Sequence, residues 1–388
     1  MTAAVLVYRD RLTYLSERFI LAQGEALARH QAHYVGVKRE ADVDMPAGRM
    51  TLLADGSLLD LPRLVAFKLA DIVPPSFRQL RMLKPVLVHA HFGPDGVQAI
   101  ALARAVDAPL IVSFHGFDAT MDDRSLRAMP IRAMRQYPAK RHLLQRTAAR
   151  FIAVSEFIRR KLVAQGFPEQ RVVVHYVGVD TKLFAARGAA REQIVLFVGR
   201  VIEQKGIADF VRAIADLRLA GLKVRAVVVG DGPARLEAMR LSVNLNASIE
   251  FVGAQNQDTV RVWMQRSHVF CVPSRRMATG AEEGFGLVFA EAQAAGLPVV
   301  AYDSGGIPEA VAHRKTGLLA TDGDWRTLAA NLAEFLTDWG MHDSFSRAAE
   351  KRARELFDLR ERTAALERTY DDVATEYRER FDLRRRAE

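Results

Sequence analysis

The stretch that decides the fold is Leu196-Phe-Val-Gly199-Arg200-Val-Ile-Glu-Gln-Lys205-Gly206. The apolar run before Gly199 predicts a buried strand, and the periodic apolar residues after Gly206 predict a helix. Parallel α/β sheets bind ligands where the carboxyl ends of their strands run into such loops. We therefore expect Arg200 and Lys205 to lie at the ligand-binding edge of a sheet.

The same alternation of strand and helix runs through the chain. Short apolar runs separated by amphipathic stretches predict parallel sheets that are buried on both faces, and hence a doubly wound α/β architecture. The ten predicted strands are Ala4–Tyr8, Val86–Ala90, Leu110–Phe114, Phe151–Val154, Val172–Tyr176, Ile194–Val198, Val224–Val229, Ile249–Val252, Val269–Pro273 and Val299–Tyr302.

The pattern of strands restarts after a polar stretch without strand signal at residues 185–193. This break and the length of 388 residues predict two domains, since one hydrophobic core seldom serves a chain of this size. We expect an N-terminal Rossmann-like domain at residues 1–185 and a C-terminal one at 186–370. Residues 371–388 are charged and helix-like, and we expect a helical tail that can cross back to the first domain.

Composition excludes several classes of protein. Hydrophobic residues make up 49% of the chain and charged residues 26%, which fits neither a disordered nor a collagenous protein. The single cysteine, Cys271, cannot form an internal disulfide or a zinc cluster. No run of about 18 apolar residues is present, so we expect no membrane span and no signal peptide.

Positive charge is concentrated in the N-terminal half. Residues 1–190 hold 27 Lys and Arg against 17 Asp and Glu, whereas the remainder holds 28 against 29. The excess is greatest between Arg124 and Arg150, where apolar residues alternate with eight cations and no acid. An anionic bilayer, a nucleic acid or a phosphorylated substrate would each be attracted to such a segment, and a solvated helix face is the remaining alternative.

Two segments of the C-terminal half carry the chemistry. Arg200 and Lys205 suit a diphosphate, whose charge is spread over several oxygens, although alone they are equally compatible with two surface cations. The second segment runs from Ala281 to Gly296 around Gly-Phe-Gly. It contains Glu283 and Glu291, which are eight residues apart. Two turns of helix would place both carboxylates on one side of the cleft. Carboxylates in that position accept hydrogen bonds from sugar hydroxyls.

These motifs, with Gly296-Leu-Pro-Val-Val and Gly305-Gly-Ile-Pro-Glu309, resemble the retaining glycosyltransferases of family four over nearly the whole chain. The resemblance implies the GT-B fold, in which two Rossmann-like domains face each other across a cleft. It implies that Arg200 and Lys205 neutralise the diphosphate of a nucleotide sugar and that Glu283 is catalytic. The donor-binding residues that it implies are Gly199, Arg200, Lys205, Val252, Gln255, Glu283, Gly284, Phe285, Gly286, Leu287 and Glu291, with the ribose at Glu291 and the base at 252–255.

The N-terminal half supplies further candidates. His115 follows a predicted strand and precedes a glycine, and the resemblance implies that it contacts the donor sugar near the reacting carbon. The segment from Tyr14 to Ile20 resembles a Ser-Glu-Thr-Phe-Ile loop of exopolysaccharide-building members, with Arg18 in place of Thr. We therefore expect Ser16 and Glu17 to bind the acceptor. His91 is either structural or on the acceptor side.

The resulting hypothesis is a retaining transfer of a hexose from UDP- or GDP-sugar to a hydroxyl of a lipid-linked saccharide in polysaccharide biosynthesis. We expect no metal and no cofactor, because cations and helix amides can stabilise the leaving group. Gly230-Asp-Gly-Pro233 lacks the third glycine of an NAD fingerprint. We expect a cytoplasmic protein on the inner membrane face, with no nucleic-acid partner. The alternatives are a nucleotide-sugar epimerase and a non-enzymatic anion-binding protein.

Overall fold

A computed structural model describes residues 2–12, 17–39, 45–54, 60–185 and 191–387, with the side chains of 381, 382 and 384–387 left aside. The chain forms two compact units. The N-terminal unit comprises residues 1–178 together with 359–388, and the C-terminal unit comprises residues 179–358. Each unit contains one sheet in which all paired strands are parallel, as the sequence predicts.

The sheet of the N-terminal unit has seven strands in the order β3-β2-β1-β4-β5-β6-β7. The strands are β1 (Ala3–Leu12), β2 (His30–Arg39), β3 (Met50–Leu52), β4 (Leu87–His91), β5 (Leu110–Phe114), β6 (Arg150–Ala153) and β7 (Val172–Val174). The helices before residue 178 are α1 (Arg18–Glu25), α2 (Asp60–Ala70), α3 (Pro75–Gln79), α4 (Gly93–Val106), α5 (Phe117–Thr120), α6 (Asp123–Ala128), α7 (Arg132–Thr147) and α8 (Glu156–Ala164).

The sheet of the C-terminal unit has six strands in the order β10-β9-β8-β11-β12-β13. They are β8 (Ile194–Val198), β9 (Arg225–Val229), β10 (Ile249–Gly253), β11 (Val269–Cys271), β12 (Val299–Asp303) and β13 (Gly317–Thr321). The helices of this unit are α9 (Thr181–Phe184), α10 (Ile207–Leu219), α11 (Arg235–Asn244), α12 (Gln257–Arg266), α13 (Leu287–Ala294), α14 (Ile307–Ala310), α15 (Trp325–Thr337) and α16 (Trp339–Phe357).

All ten predicted strands are present, whereas β2, β3 and β13 are absent from the prediction. The central strands are found because they are continuous apolar runs, and all five residues of β8 are buried. Strand β2 carries two histidines, a glutamine and two basic residues, so its sequence lacks the apolar run. It nevertheless pairs with β1 over most of its length. Hydrogen bonds to the neighbouring strand stabilise it, although its composition gives no strand signal.

The last helix, α17 (Leu359–Ala387), belongs entirely to the N-terminal unit. Leu366, Tyr370 and Val373 lie in the same buried cluster as core residues of β1 and β5. Their spacing places them on one face of a helix. The chain therefore returns to the N-terminal unit at Leu359, before the predicted start of the tail at residue 371. The prediction missed this part of the helix because its apolar stripe lies among charged residues.

The first boundary also lies earlier than the predicted junction at 185/186. Residues 179–184 belong to the C-terminal unit, where the amide of Val179 donates to the carbonyl of Phe357 at 2.8 Å. Asp180 caps α9, and the hydroxyl of Thr181 donates to Asp358. The bonds of Val179 and Thr181 form with the end of α16, which is distant in sequence, so local composition does not reveal them.

Among the described residues, no helix combines the length and the apolar character that crossing a bilayer requires.

Burial of the α17 stripe predicts that this helix stabilises the N-terminal unit. We expect Leu366→Ala to lower the free energy of unfolding by about 2 to 5 kcal/mol, because it removes a fully buried side chain and leaves a cavity. Leu383→Ala in the same helix is the control, since Leu383 is 66% exposed, and its effect should stay below about 0.5 kcal/mol. Urea unfolding followed by circular dichroism measures both. Equal effects of the two substitutions would contradict the assignment of α17 to this core.

Candidate functional site

The loops that follow β8 and β11 meet at a very close contact. Gly206 has φ +68°, and a Cβ atom there would lie 1.9 Å from the carbonyl oxygen of Pro273. Only glycine fits both the backbone conformation and the space. The amide of Arg275 donates to the carbonyl of Gln204 at 2.8 Å and joins the same two loops a second time. The loop that carries Lys205 is therefore fixed against the one that leads to Glu283.

Lys205 and Glu283 form an ion pair in this region. The ammonium group of Lys205 donates to Oε2 of Glu283, and the hydroxyl of Ser274 donates to the same oxygen at 3.4 Å. The two side chains are 16% and 15% exposed, so the pair is shielded and still reachable from solvent. Two residues that the sequence analysis places in one site are thus in direct contact.

Arg200 extends from the same loop as Lys205. Its side chain is exposed, and no ion-pair partner for it exists among the residues that the structure describes. Gly199 precedes it, and its amide donates to the carbonyl of Val229 at the end of β9 at 3.0 Å. A guanidinium group without a protein carboxylate keeps its charge available to an anion.

The Gly-Phe-Gly segment is held by the loop after β12. The amide of Gly306 donates to the carbonyl of Glu283 at 2.8 Å. A Cβ atom on Gly306 would lie 2.1 Å from the carbonyl oxygen of Gly284, so this approach also needs a glycine. Helix α13 begins directly after Gly286, which has no side chain to cap it. The amide of Phe289 donates to the carbonyl of Gly286 at 2.9 Å, whereas the amides of Leu287 and Val288 have no hydrogen-bond acceptor among the described residues and can bind an anion, as at other helix starts.

Glu291 lies within α13, and its carboxyl group is surrounded by protein although the side chain is partly accessible. Burial raises the pKa of Glu291 from 4.5 to about 7. Glu283 precedes the helix, so the expectation that two helical turns align it with Glu291 is wrong. Gly284–Gly286 form a bend before the first turn, and the spacing of eight residues is not a helical spacing here.

The predicted base-binding residues lie at the end of β10. The side-chain amide of Gln255 donates to the carbonyl of Val252 at 2.9 Å, and Gln255 is exposed. Strand β10 is the edge strand, two positions from β8 in the sheet. Since all strands are parallel, Val252 and Arg200 both lie on the side of the sheet where the carboxyl ends of the strands are. The roles of Val252 and Gln255 in binding the base stay predictions.

A buried polar network around Asp209 is absent from the sequence analysis. The carboxylate of Asp209, 3% exposed, accepts hydrogen bonds from the hydroxyl of Tyr302 at 3.0 Å and from Arg212 at 2.7 Å. Arg275 lies 3.4 Å from the same carboxylate. This network ties α10 to β12 and to the loop after β11. The sequence signal that could have revealed this network is an acidic residue in the apolar face of an amphipathic helix. A carboxylate in that position needs hydrogen-bonding partners when it is buried.

In the N-terminal unit, His115 and His91 are joined by a hydrogen bond. Nδ1 of His91 and Nε2 of His115 are 3.0 Å apart, and the two ring planes are within 18° of each other with centroids 5.2 Å apart. His91 is almost completely buried, which favours the structural alternative over direct contact with an acceptor. Burial, assisted by the charge of Arg9, lowers the pKa of His115 to about 3, so this ring is neutral at physiological pH.

Asp118 fixes the turn that carries His115. Its carboxylate is buried and accepts the amides of Gly93 at 3.0 Å, His115 at 3.1 Å and Gly116 at 2.9 Å. Burial raises the pKa of Asp118 to about 6 against the opposing effect of these bonds. The backbone of the turn is therefore held from inside the unit, and His115 as a whole residue is partly exposed.

Glu17 is engaged by Arg9. The guanidinium group donates to both carboxylate oxygens of Glu17 at 2.7 and 2.9 Å, and it also pairs with Asp95 and lies 4.2 Å from the centre of the Phe92 ring. Glu17 lines a pocket with Arg9, Leu12, Arg18, Ile20, Leu21, Tyr34 and Met45. Ser16, the other predicted acceptor residue, lies outside the described residues.

Within the ranges that the structure describes, no group of three or more His, Cys, Asp or Glu side chains is arranged to hold a metal ion. The predicted site residues fall into two sets. Arg200, Lys205, Glu283 and Glu291 belong to the C-terminal unit, whereas Glu17, His91 and His115 belong to the N-terminal unit.

Curated relatives have similar sequences over part of their length. WcaL of Salmonella typhimurium, named a colanic acid biosynthesis glycosyltransferase, is 29% identical over 69% of this chain and 66% of its own length. The amylovoran biosynthesis glycosyltransferase AmsK of Erwinia amylovora is 29% identical over 62% of this chain and 59% of its own. The chain thus spans two thirds or less of these relatives.

Solved structures match the fold over almost the whole chain. HepE of Anabaena, crystallised in complex with UDP-glucose, superposes with a TM-score of 0.75 and 20% identity, covering 95% of this chain and 99% of that one. Sucrose-phosphate synthase of Thermosynechococcus elongatus gives a TM-score of 0.75 and 22% identity, covering 96% and 100%. At these identities the likeness concerns the fold, and it confirms the predicted GT-B architecture of two Rossmann-like domains.

Two family models match consecutive parts of the chain. The model for Glycosyltransferase Family 4 matches residues 16–183, and the model for Glycosyl transferases group 1 matches residues 180–352. The boundary between the two matches lies close to the boundary between the two units. Because the two models together match both halves of the chain, the chain belongs to the family-four glycosyltransferases of the GT-B fold.

Proposed function

We propose that this protein transfers a hexose from a UDP- or GDP-linked donor to a hydroxyl of a lipid-linked saccharide, with retention of the anomeric configuration. The observation that carries the proposal is the shielded pair of Lys205 and Glu283, which lies in the same loop system as the unpaired Arg200. The names of WcaL and AmsK, which refer to colanic acid and amylovoran biosynthesis, support a role in polysaccharide assembly.

The main barrier of such a transfer is cleavage of the bond between the sugar and a diphosphate. Positive charge that is already in place stabilises the departing anion without reorganisation. Arg200, Lys205 and the free amides of α13 provide this charge, which also supports a mechanism that needs no metal. Glu283 with residues 285–287 would hold the donor sugar, Glu291 the ribose and residues 252–255 the base.

Retention requires that the acceptor hydroxyl attack from the face that the diphosphate leaves, or that a covalent intermediate form. The sequence offers no evident nucleophilic carboxylate for the second route. We therefore propose same-face attack, in which an oxygen of the leaving diphosphate takes the proton of the acceptor. His115 would contact the donor sugar as a neutral imidazole, because burial keeps it unprotonated.

The first prediction from the proposed function separates diphosphate binding from turnover. We expect Arg200→Ala or Lys205→Ala to lower kcat/KM by about 100-fold, because each removes a charge that stabilises the leaving group. Glu283→Gln should lower turnover to a similar extent and leave UDP or GDP bound at least as tightly, since it frees Lys205 from a competing carboxylate. Calorimetric titration and a nucleotide-release assay with a polyprenyl-diphosphate saccharide measure the two quantities.

Lys223→Ala is the matched control, because Lys223 is an exposed lysine of the same unit away from these loops, and it should change neither quantity. Incubation with donor alone tests the epimerase alternative, since an isomeric nucleotide sugar would then appear without an acceptor. Full turnover after both alanine substitutions would refute the proposed chemistry. An inverted product or a trapped covalent sugar would refute same-face attack.

The second prediction concerns pH. The folded-state pKa of Glu291, about 7, lies above its ordinary value of 4.5, so the stability that this group contributes declines as pH rises from about 4.5 to about 7. Ribose hydroxyls donate hydrogen bonds and favour the ionised carboxylate. Affinity for the nucleoside of the donor should therefore rise through about pH 7 and level off above it. The nucleoside is used because it carries no titrating phosphate.

Glu291→Gln is the control, because its side chain accepts hydrogen bonds without titrating. Calorimetric titration across this pH range should give a flat profile for the variant and a rising one for the unmodified protein. Parallel profiles would show that Glu291 does not bind the ribose.

We further propose that the protein works in the cytoplasm, on the inner face of the membrane. Of the eight cations between Arg124 and Arg150, Arg127 and Arg141 pair with Asp123, and Arg150 pairs with Glu376. The remaining five are Arg124, Arg132, Arg135, Lys140 and Arg146. Ile131 and Leu143 are exposed in the same segment at 42% and 39%. These five cations have no ion-pair partner in the described part of the chain, and cations beside exposed apolar groups favour an anionic bilayer.

The third prediction tests this surface by flotation with vesicles of phosphatidylcholine and phosphatidylglycerol. We expect the protein to float with these vesicles at low salt and the triple variant Arg124→Glu, Arg132→Glu, Arg135→Glu to lose most of this binding, since each basic residue contributes about 1 kcal/mol. The control is Arg63→Glu, Arg78→Glu, Lys84→Glu, which makes the same change of net charge at exposed positions elsewhere in the unit. Equal loss in both variants, or binding that ignores phosphatidylglycerol, would contradict the proposed surface.

A further inference from the structure

Three histidines of the N-terminal unit form a continuous stack, which we call the histidine stack: His89, His91 and His115. The ring of His91 lies between the other two, with centroids 4.4 Å from His89 and 5.2 Å from His115 and interplanar angles of 26° and 18°. Strands β4 and β5 pair in parallel with His91 opposite Ser113, which places the end of β4 beside the turn that holds His115. The stack therefore leads from the core of the unit to the partly exposed His115.

The inner end of the stack is anchored by two hydrogen bonds. Nδ1 of His89 lies 2.6 Å from the hydroxyl of Tyr370 in α17, and Nε2 lies 2.7 Å from the hydroxyl of Ser113. Both ring nitrogens of His89 are thus occupied, and its plane is fixed. His91 packs flat on this fixed ring, so its own orientation is restricted.

The outer end consists of one hydrogen bond between two imidazoles. Nδ1 of His91 and Nε2 of His115 are 3.0 Å apart, and both rings are kept neutral by burial and by neighbouring positive charge, which lower the pKa of each. Two neutral rings in this contact share one proton, which is carried either by His91 or by His115. The tautomer of one ring therefore determines the tautomer of the other.

One pair of tautomers leaves both imidazole rings in their preferred form. A free neutral imidazole side chain prefers to carry its proton on Nε2. If His115 donates from Nε2 to Nδ1 of His91, both rings keep this preferred form. Nδ1 of His115 is then a bare acceptor, and no residue in the described part of the chain is bonded to it. Phe19 and Phe92, with ring centroids 5.0 and 4.7 Å from that of His115, prevent the ring from turning away.

We propose that His91 is a positioning residue that holds His115 with Nδ1 unprotonated, so that His115 accepts a hydrogen bond from a hydroxyl of the donor sugar. The inference rests on the proposed function of His115 and deepens it, because it states which atom meets the sugar and in which role. It also explains why a histidine with no access to solvent stands at position 91.

Histidine-selective ¹⁵N NMR of the full chain tests the tautomer without any activity assay. The protein has 10 histidines, and the resonances of His115 are assigned by their loss in His115→Gln. We expect a protonated Nε2 and an unprotonated Nδ1 for His115 at neutral pH. The opposite tautomer in the unmodified protein would overturn the inference, whatever the variants do.

Two substitutions then separate positioning from packing. His91→Asn keeps an acceptor oxygen near the place of Nδ1, whereas His91→Phe keeps the stacking and removes the acceptor. We expect His91→Asn to retain the tautomer of His115 and kcat within about threefold, and His91→Phe to lower kcat by about tenfold with little change in KM for the donor. An unchanged His115 spectrum and an unchanged kcat in His91→Phe would overturn the inference.

If His91→Phe does not fold, as judged by circular dichroism, His91→Leu takes its place with the same expected outcomes. Failure of the proposed function would appear differently. The unmodified protein would then show the predicted tautomer and transfer no sugar from any UDP- or GDP-linked donor.

Discussion

The approach of Gly206 to the carbonyl of Pro273 is the constraint on which the C-terminal unit depends. It joins the loop after β8 to the loop after β11 at a distance that no side chain permits. The ion pair of Lys205 with Glu283, residues separated by 78 positions, follows from this contact. The close approach of Gly306 to the carbonyl of Gly284 fixes the same segment from the other side. The charged groups of this region are thus held by close backbone contacts as well as by their own ion pair.

The two units hold their polar groups in different ways. In the C-terminal unit, Arg200 is exposed and the ion pair of Lys205 and Glu283 is partly exposed, so these side chains can be reached from solvent. In the N-terminal unit, the histidine stack is buried and neutral, and its members satisfy one another and Tyr370 by hydrogen bonds.

Helix α17 connects these features to the architecture. It begins where the C-terminal unit ends and contributes Leu366, Tyr370 and Val373 to the core of the N-terminal unit. Tyr370 also bonds to His89, so the same helix that completes the core anchors the inner end of the histidine stack. A single residue near the end of the chain therefore supports both the stability of the first unit and the geometry of its candidate site.

The sequence by itself determined the parallel α/β class, ten of the strands and the placement of Arg200 and Lys205 in a loop at the end of a strand. These follow from apolar periodicity and from local spacing, which a linear pattern records. Tertiary structure alone decided that Glu283 pairs with Lys205 from a bend rather than a helix, that α17 returns at Leu359 and that His91 bonds to His115. Each of these depends on residues far apart in the chain that meet only when the core packs, and so no local pattern encodes them.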